Sequence, residues 1–139
     1  MIQDNRLKEF ERGHEAFKQV KFNQSKERFK KLVSEGQSPK ALVIVCIDSR
    51  VMPAMITGSK PGDLFLVRNI GNFVAPYKPD ADYHATASAI EYAVSILEVS
   101  DVIVCGHSHC GAIASLFNDI KQTAENIHTV KWLELGSEA

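Results

Sequence analysis

Two short motifs hold the residue types that bind metals. Cys46, Asp48 and Arg50 follow one apolar run, and His107 and Cys110 follow a second apolar run later in the chain. Thiolate sulfur together with imidazole favours zinc, and three protein ligands leave the fourth tetrahedral position open for water. The sequence therefore predicts a zinc enzyme, because a catalytic zinc site keeps such an open position.

The second motif leaves a choice of thiol. Cys105 competes with Cys110 for the metal, because in an extended strand Cys105 shares a face with His107. We favour Cys110, since Cys105 lies inside the apolar run, where inert thiols pack like small hydrophobic groups. His109 is predicted to face solvent or to act as a minor proton carrier.

The first motif places three functional groups in alternation. If the chain stays extended, Cys46, Asp48 and Arg50 lie on one side of it, so that a thiolate, a carboxylate and a guanidinium face one pocket. Asp48 and Arg50 are equally compatible with a structural ion pair that closes the end of the strand. Arg68 and Asn69, which follow another apolar run, are interpreted either as loop anchors or as site residues.

Strands that alternate with helices must position these motifs. The pattern predicts an α/β fold with a parallel β-sheet core, crossover helices and an N-terminal helical arm. In the second helix Phe29, Leu32 and Val33 are predicted to point inward, and each strand is predicted to be buried on both faces. Predicted strands are 40–46, 63–68 and 101–105; predicted helices are 4–20, 25–35, 82–98 and 111–120, with a helix-compatible tail at 125–139.

The composition is that of an ordinary globular protein. The chain has 139 residues, 45% of them hydrophobic and 24% charged, with a net charge of −1, which indicates neither a nucleic-acid nor a membrane partner. The first residues lack the basic and apolar regions of a secretory signal, so a cytoplasmic location is expected. Three cysteines without such a signal favour metal chemistry over a disulfide framework.

Three motifs in order resemble the β-class carbonic anhydrases. They are Cys46-Ile-Asp-Ser-Arg-Val51, Arg68-Asn-Ile-Gly-Asn72 and Gly106-His-Ser-His-Cys-Gly111. Several ordered motifs are far more specific than any one of them. The resemblance covers roughly residues 25–120, with supporting matches at Gly36-Gln-Ser-Pro39 and Ala89-Ile-Glu-Tyr-Ala-Val94.

The resemblance implies a reaction and a set of roles. One Zn²⁺ per chain would be held by Cys46, His107 and Cys110, and Asp48 and Arg50 would form the catalytic dyad beside it. The reaction would be the reversible hydration of carbon dioxide to bicarbonate by a metal-bound hydroxide. Members of the family show both open and closed arrangements of the dyad.

The resemblance also implies a substrate pocket and an assembly. Gln37, Phe65, Tyr83 and Gly111 match positions that bind carbon dioxide or bicarbonate, partly in the neighbouring subunit. The chain would form a homodimer or a multiple of dimers, with the N-terminal helices wrapped around a neighbour.

The family's catalytic domain normally continues past the point where this chain stops. We therefore expect a single, truncated domain at residues 1–139, with residues 1–35 as a helical arm within it and with one edge or face of the sheet uncovered. Two alternatives stay open: a hydrolase of carbon disulfide or carbonyl sulfide that uses the same zinc site, and an inactive zinc-binding fragment.

Overall fold

The computed structural model describes residues 3–118 and 120–137, and it divides into two compact units. The first unit ends at Gln37 and the second begins at Ser38. In the first unit, helix α1 (Gln3–Ala16) continues into a π-helical segment (Phe17–Phe22), and helix α2 spans Lys26–Glu35. Gly36 ends α2 with a φ of +82°, as the sequence predicts.

The predicted inward face of α2 is wrong at Val33. The Val33 side chain is 86% exposed, and no residue of α2 is buried. Phe29 instead stacks on Phe22, with ring centroids 5.2 Å apart. The periodicity of α2 therefore identified an apolar stripe correctly. It did not show whether the residues of that stripe are buried, and none of them is.

The second unit is built on a three-stranded parallel sheet. Strands β1 (Ala41–Cys46), β2 (Leu64–Asn69) and β3 (Asp101–Cys105) are arranged in the order β2-β1-β3. Because β1 pairs with both neighbours, Cys46 lies opposite Asn69, and Val45 lies opposite Cys105. The predicted parallel α/β fold is confirmed, with strand bounds within one residue of those expected.

The core lies on both faces of β1, every residue of which is buried. On one face Leu42 and Ile44 pack against Ala93, and on the other Val43 and Val45 pack against Val51. Burial of β2 and β3 on both faces, in contrast, is wrong: no residue of β2 is buried, and Asp101–Val104 are all exposed. The reason is topological, because among the described strands β2 and β3 each pair only with β1.

Short helices connect the strands and complete the unit. Helix α4 (Ala85–Glu91) continues into a π-helical segment (Tyr92–Ile96), which has more residues per turn than an α-helix. In this segment Ala93 is buried, while Val94 is 48% exposed. No helix within residues 3–118 and 120–137 is long and apolar enough to cross a membrane. The helices of this unit are α3 (Pro53–Thr57), α4 (Ala85–Glu91) with its π-helical extension (Tyr92–Ile96), α5 (Gly111–Ser115) and α6 (Ile127–Leu133), with short 3₁₀ turns at Ile70–Asn72 and Glu134–Gly136.

Candidate metal centre

Three ligand atoms converge where β1 and β3 end. Cys46 is the last residue of β1, His107 lies in the loop after β3, and Cys110 is the N-cap of α5. The two Sγ atoms are 3.8 Å apart, and both lie within 4.8 Å of a ring nitrogen of His107. Both thiols are buried, and the His107 side chain is only 13% exposed.

The geometry of these atoms fits zinc. Two thiolates at the usual Zn–S distance of about 2.3 Å and a tetrahedral angle would lie about 3.8 Å apart, which is the separation of the two sulfurs here. His107 donates from Nδ1 to the carbonyl oxygen of Ser108, which leaves the lone pair of Nε2 for a metal. Nε2 is buried and lacks a hydrogen-bond partner within the described part of the chain.

Cys105 lies apart from this cluster. Its thiol packs beside Val43, Val45 and Val51, and its nearest polar contact is the carbonyl oxygen of Gly106 at 3.6 Å. The metal-binding group found among the described residues contains the other two cysteines and not this one. The geometry therefore supports the choice of Cys110 over Cys105 that the sequence favoured.

Asp48 and Arg50 form a closely bonded pair beside the cluster. Arg50 donates from its backbone N and its Nε to Asp48 Oδ1 at 2.9 Å each, and from Nη2 to Asp48 Oδ2 at 2.7 Å. These hydrogen bonds hold the pKa of the Asp48 carboxyl well below its usual range. Asp48 Oδ2 lies 4.0 Å from His107 Nε2, so the carboxylate is next to the place where a metal would sit.

The thiol of Cys46 is set up for metal binding by its surroundings. Burial raises its pKa, but polar contacts with the backbone N–H of Asp48, the ring of His107 and the backbone N–H of Gly71, in that order, outweigh burial and lower the pKa to about 7. Gly71 has a φ of +75°, and a Cβ there would lie 2.9 Å from the Phe73 ring. The sequence signal for this position was the motif Arg68-Asn-Ile-Gly-Asn72, in which Gly71 was quoted without a role of its own.

Arg68 supports the first motif from β2. It donates from Nε and Nη2 to the carbonyl oxygen of Cys46 at 3.1 and 2.9 Å, and from Nη2 to that of Asp48 at 2.8 Å. Asn69 donates to the carbonyl oxygen of Phe73 at 2.8 Å. Of the two interpretations offered for this pair, the contacts correspond to loop anchors.

The predicted substrate residues of the second unit, Phe65, Tyr83 and Gly111, have different surroundings. Phe65 pairs with Leu42, four residues or about 13 Å before the end of the strand, and its ring stacks on Tyr92 at 5.8 Å. Tyr83 is fully exposed and lines an apolar cavity of about 670 Å³. Gly111 begins α5 beside Cys110, whereas Gln37 is the last residue of the first unit. Their shared role in substrate binding stays a prediction.

The 670 Å³ cavity borders the backbone of the candidate centre. Ile47 and Arg68 line it on the side of the strand ends, and Trp132 closes it by donating from Nε1 to the carbonyl oxygen of Ile70 at 2.7 Å. Its lining is largely apolar, which suits small apolar molecules better than charged ones.

Two thiols and an imidazole thus lie at the strand ends of a parallel sheet, beside a carboxylate–guanidinium pair. This combination of fold and candidate metal centre indicates the class of metal-dependent α/β proteins. The family model described as carbonic anhydrase matches residues 41–139, and the chain belongs to that family. Its likeness is to the β class, as the motifs predicted: it superposes on the β-carbonic anhydrase CcaA with a TM-score of 0.86 and 38% identity, covering 96% of this chain and 59% of that one.

Two further relatives show the same likeness. A carbonic anhydrase of Synechocystis is 46% identical over 104 residues, which are 75% of this chain and 37% of the relative. Tetrameric β-carbonic anhydrases of Sordaria macrospora superpose with a TM-score of 0.77 and 35% identity, covering 94% of this chain and 61% of theirs. The chain thus spans between about a third and three fifths of the lengths of these relatives.

Proposed function

We propose that this chain carries a zinc centre that catalyses the reversible hydration of carbon dioxide to bicarbonate. The observation that carries the proposal is the convergence of Cys46, His107 and Cys110, with sulfurs 3.8 Å apart and a buried, unpartnered ring nitrogen beside them. Membership of the carbonic anhydrase family supports the same reaction.

Each residue of the centre has a physical task in this proposal. The two thiolates and the imidazole would hold the ion, and the Nδ1–H donated to Ser108 fixes the ring so that Nε2 points to it. Zinc with an open position supplies Lewis acidity that makes water a nucleophile near neutral pH, an effect established for carbonic anhydrases in general.

Asp48 orients the reacting water in this proposal. Its carboxylate is ionised at neutral pH, and the three hydrogen bonds that Arg50 donates favour that form further, so its oxygens accept hydrogen bonds and do not donate them. A water that donates to Oδ2 is fixed on the side of the carboxylate that faces His107. Orientation of this kind lowers the entropic part of the barrier to attack on carbon dioxide.

The substrate pocket belongs to the proposed dimer. Gln37 would donate its amide to a bicarbonate oxygen, Phe65 would form an apolar wall for carbon dioxide, and Tyr83 and Gly111 would complete the pocket. Phe65 lies away from the centre of its own chain, which is compatible with a contribution to a neighbour. Exposed apolar side chains on α1, such as Leu7 and Phe10, support helices that wrap another subunit. The Sordaria relatives are described as tetrameric, a multiple of a dimer.

Two further parts of the proposal concern its surroundings. Carbon dioxide and bicarbonate are the proposed small-molecule partners, without nucleic acid or membrane, and the cytoplasm is the proposed location. The comparisons lend no support to a hydrolase of carbon disulfide or carbonyl sulfide. An inactive zinc-binding fragment is an outcome of the experiment that follows.

The three cysteines provide a matched experiment. We expect about one zinc ion per purified wild-type chain, with carbon dioxide hydration measured by stopped flow. Cys46→Ser and Cys110→Ser should each lose most of the metal and the activity, whereas Cys105→Ser should keep both. Zinc retained by all three variants would contradict the ligand set, and bound zinc without hydration would indicate the inactive fragment.

A further inference from the structure

His109 has an unusual backbone conformation next to the candidate centre. Its φ is +55°, in the left-handed region, where histidine is found more often than most residues other than glycine. The side chain is exposed and makes no contact that explains this conformation among the described residues. The backbone carbonyl oxygen, however, accepts a hydrogen bond of 2.9 Å from Arg50 Nη2.

This hydrogen bond joins the two motifs. Arg50 belongs to the loop after β1, while His109 lies between the two ligands of the second loop, His107 and Cys110. The same Nη2 donates to Asp48 Oδ2 at 2.7 Å. One guanidinium nitrogen therefore connects the Asp48 carboxylate to the backbone of the ligand loop.

The connection matters because the Asp48 carboxylate could either stay paired with Arg50 or turn towards a metal ion held by His107. Its Oδ2 is 4.0 Å from His107 Nε2, so a small rotation would bring the carboxylate to a metal held by that nitrogen. The Arg50 side chain that opposes this rotation is 62% exposed and has few other constraints. Its bond to the His109 carbonyl is the hydrogen bond that ties the guanidinium to the second loop.

We propose that His109 is a positioning residue: its left-handed backbone anchors Arg50 and thereby keeps Asp48 from occupying the fourth metal position. The inference rests on the proposed zinc centre. If residue 109 turned to an extended conformation, its carbonyl would swing away, Arg50 would lose one of its two anchors, and the carboxylate would compete with water and other small ligands for the metal.

Substitution at 109 tests the role of the backbone. A β-branched residue disfavours the left-handed region. We therefore expect His109→Val to shift the equilibrium at residue 109 from the left-handed towards the extended conformation by about 5- to 30-fold. Glycine adopts this region readily, so His109→Gly should behave as wild type. Ala81 is also exposed with a φ of +60°, and Ala81→Val therefore imposes the same strain away from the centre.

The readout is access of an added anion to the metal. Each variant is loaded with cobalt(II) in place of zinc and titrated with thiocyanate, which changes the visible absorption when it binds the open position. We expect the apparent thiocyanate affinity to fall about 5- to 30-fold in His109→Val and to stay unchanged in His109→Gly and Ala81→Val. Adding Asp48→Ala to His109→Val should restore the affinity to that of Asp48→Ala alone, which a merely structural effect would not do.

The outcomes separate this inference from the proposed function. A wild-type chain that takes up no cobalt would refute the metal centre itself. A cobalt-loaded His109→Val that binds thiocyanate like wild type, or whose loss Asp48→Ala does not reverse, would overturn the role of His109. If His109→Val does not fold, Arg50→Lys provides the same test, since one ammonium keeps the charge but lacks the fork that reaches both acceptors; unchanged thiocyanate affinity there would overturn the inference.

Discussion

Asp48 accepts three hydrogen bonds from a single residue, Arg50, and faces His107 with its second oxygen. These bonds favour the ionised form and lower the pKa of the carboxyl, so the carboxylate is an acceptor at neutral pH. At the scale of residues, this charge is what would distinguish the proposed reactive centre from a plain metal site.

Asp48→Asn removes the charge and keeps the size. We expect the rate of carbon dioxide hydration to fall about 100-fold, since the amide turns an acceptor oxygen into a donor group beside the reacting water. Zinc content should not change, because Asp48 is not a proposed ligand. Asp80→Asn is the matched control: Asp80 is ion-paired with Lys78 in a loop away from the centre. Equal rates in both variants would speak against the dyad.

Zinc affinity should depend on pH through Cys46. The pKa of this thiol is about 7 in the folded metal-free chain, and only the thiolate binds metal. As the pH falls below 7 the thiol is protonated and protons compete with the ion, so the apparent affinity should weaken about tenfold per pH unit from this group alone. Competition with a chromophoric chelator at several pH values measures the slope, and a flat profile would contradict the expectation.

The sequence was sufficient to predict that two thiols and an imidazole come together, but not how the backbone holds them. The two motifs and their positions after apolar runs indicated Cys46, His107 and Cys110, because parallel strands bring their carboxyl ends together. The contribution of the His109 carbonyl depends on one φ angle, which residue types alone do not determine. The stacking of Tyr92 on Phe65 could not be predicted for a similar reason, since it depends on how the π-helical extension of α4 packs against β2.

At the scale of elements, β1 and β3 have similar sequences and different environments. Val45 in β1 is 0% exposed, whereas Val104 in β3 is 54% exposed. An apolar run of β-branched residues predicts a strand, and all three strands were predicted within one residue. It does not show whether the strand lies at the centre or at the edge of a sheet, which depends on the strand order.

The same substitution in the two strands measures this difference. Val45→Ala should lower the free energy of unfolding by about 2 kcal/mol, because it removes two buried methyl groups and leaves a cavity. Val104→Ala, on the exposed strand, should cost less than about 1 kcal/mol. Urea denaturation followed by circular dichroism gives both values, and equal losses would mean that β3 is covered in solution.

Helix faces were the least predictable part of the fold. The π-helical segments at Phe17–Phe22 and Tyr92–Ile96 change the number of residues per turn, so a stripe extrapolated at 3.6 residues per turn drifts away from the real contact. In the second of these segments Ala93 is 0% exposed, whereas its neighbour Val94 is 48% exposed.

At the scale of the whole molecule, an apolar strand is exposed. Val102, Ile103 and Val104 are each about half exposed, and β3 pairs on one side only among the described strands. Unpaired strand edges with apolar side chains promote association between chains.

We therefore expect this chain to form species larger than its main oligomer, and Ile103→Lys to reduce them. A lysine on an edge strand opposes pairing with another strand through its charge and hydration. Sedimentation velocity measures the fraction of larger species. Met55→Lys, which changes a 74% exposed apolar residue on α3, serves as the control. A similar reduction in both variants would show that added charge, and not the strand, is responsible.

The separation of the ligands along the chain has a consequence for folding. The sulfurs of Cys46 and Cys110 belong to residues 64 positions apart, and they come together only after β3 has aligned beside β1. On the proposed ligand set, a bound ion would stabilise the folded chain by its binding free energy, because the unfolded chain does not bring the three ligands together. Capture of the ion would then report the completion of the sheet, so uptake kinetics could follow folding without a label.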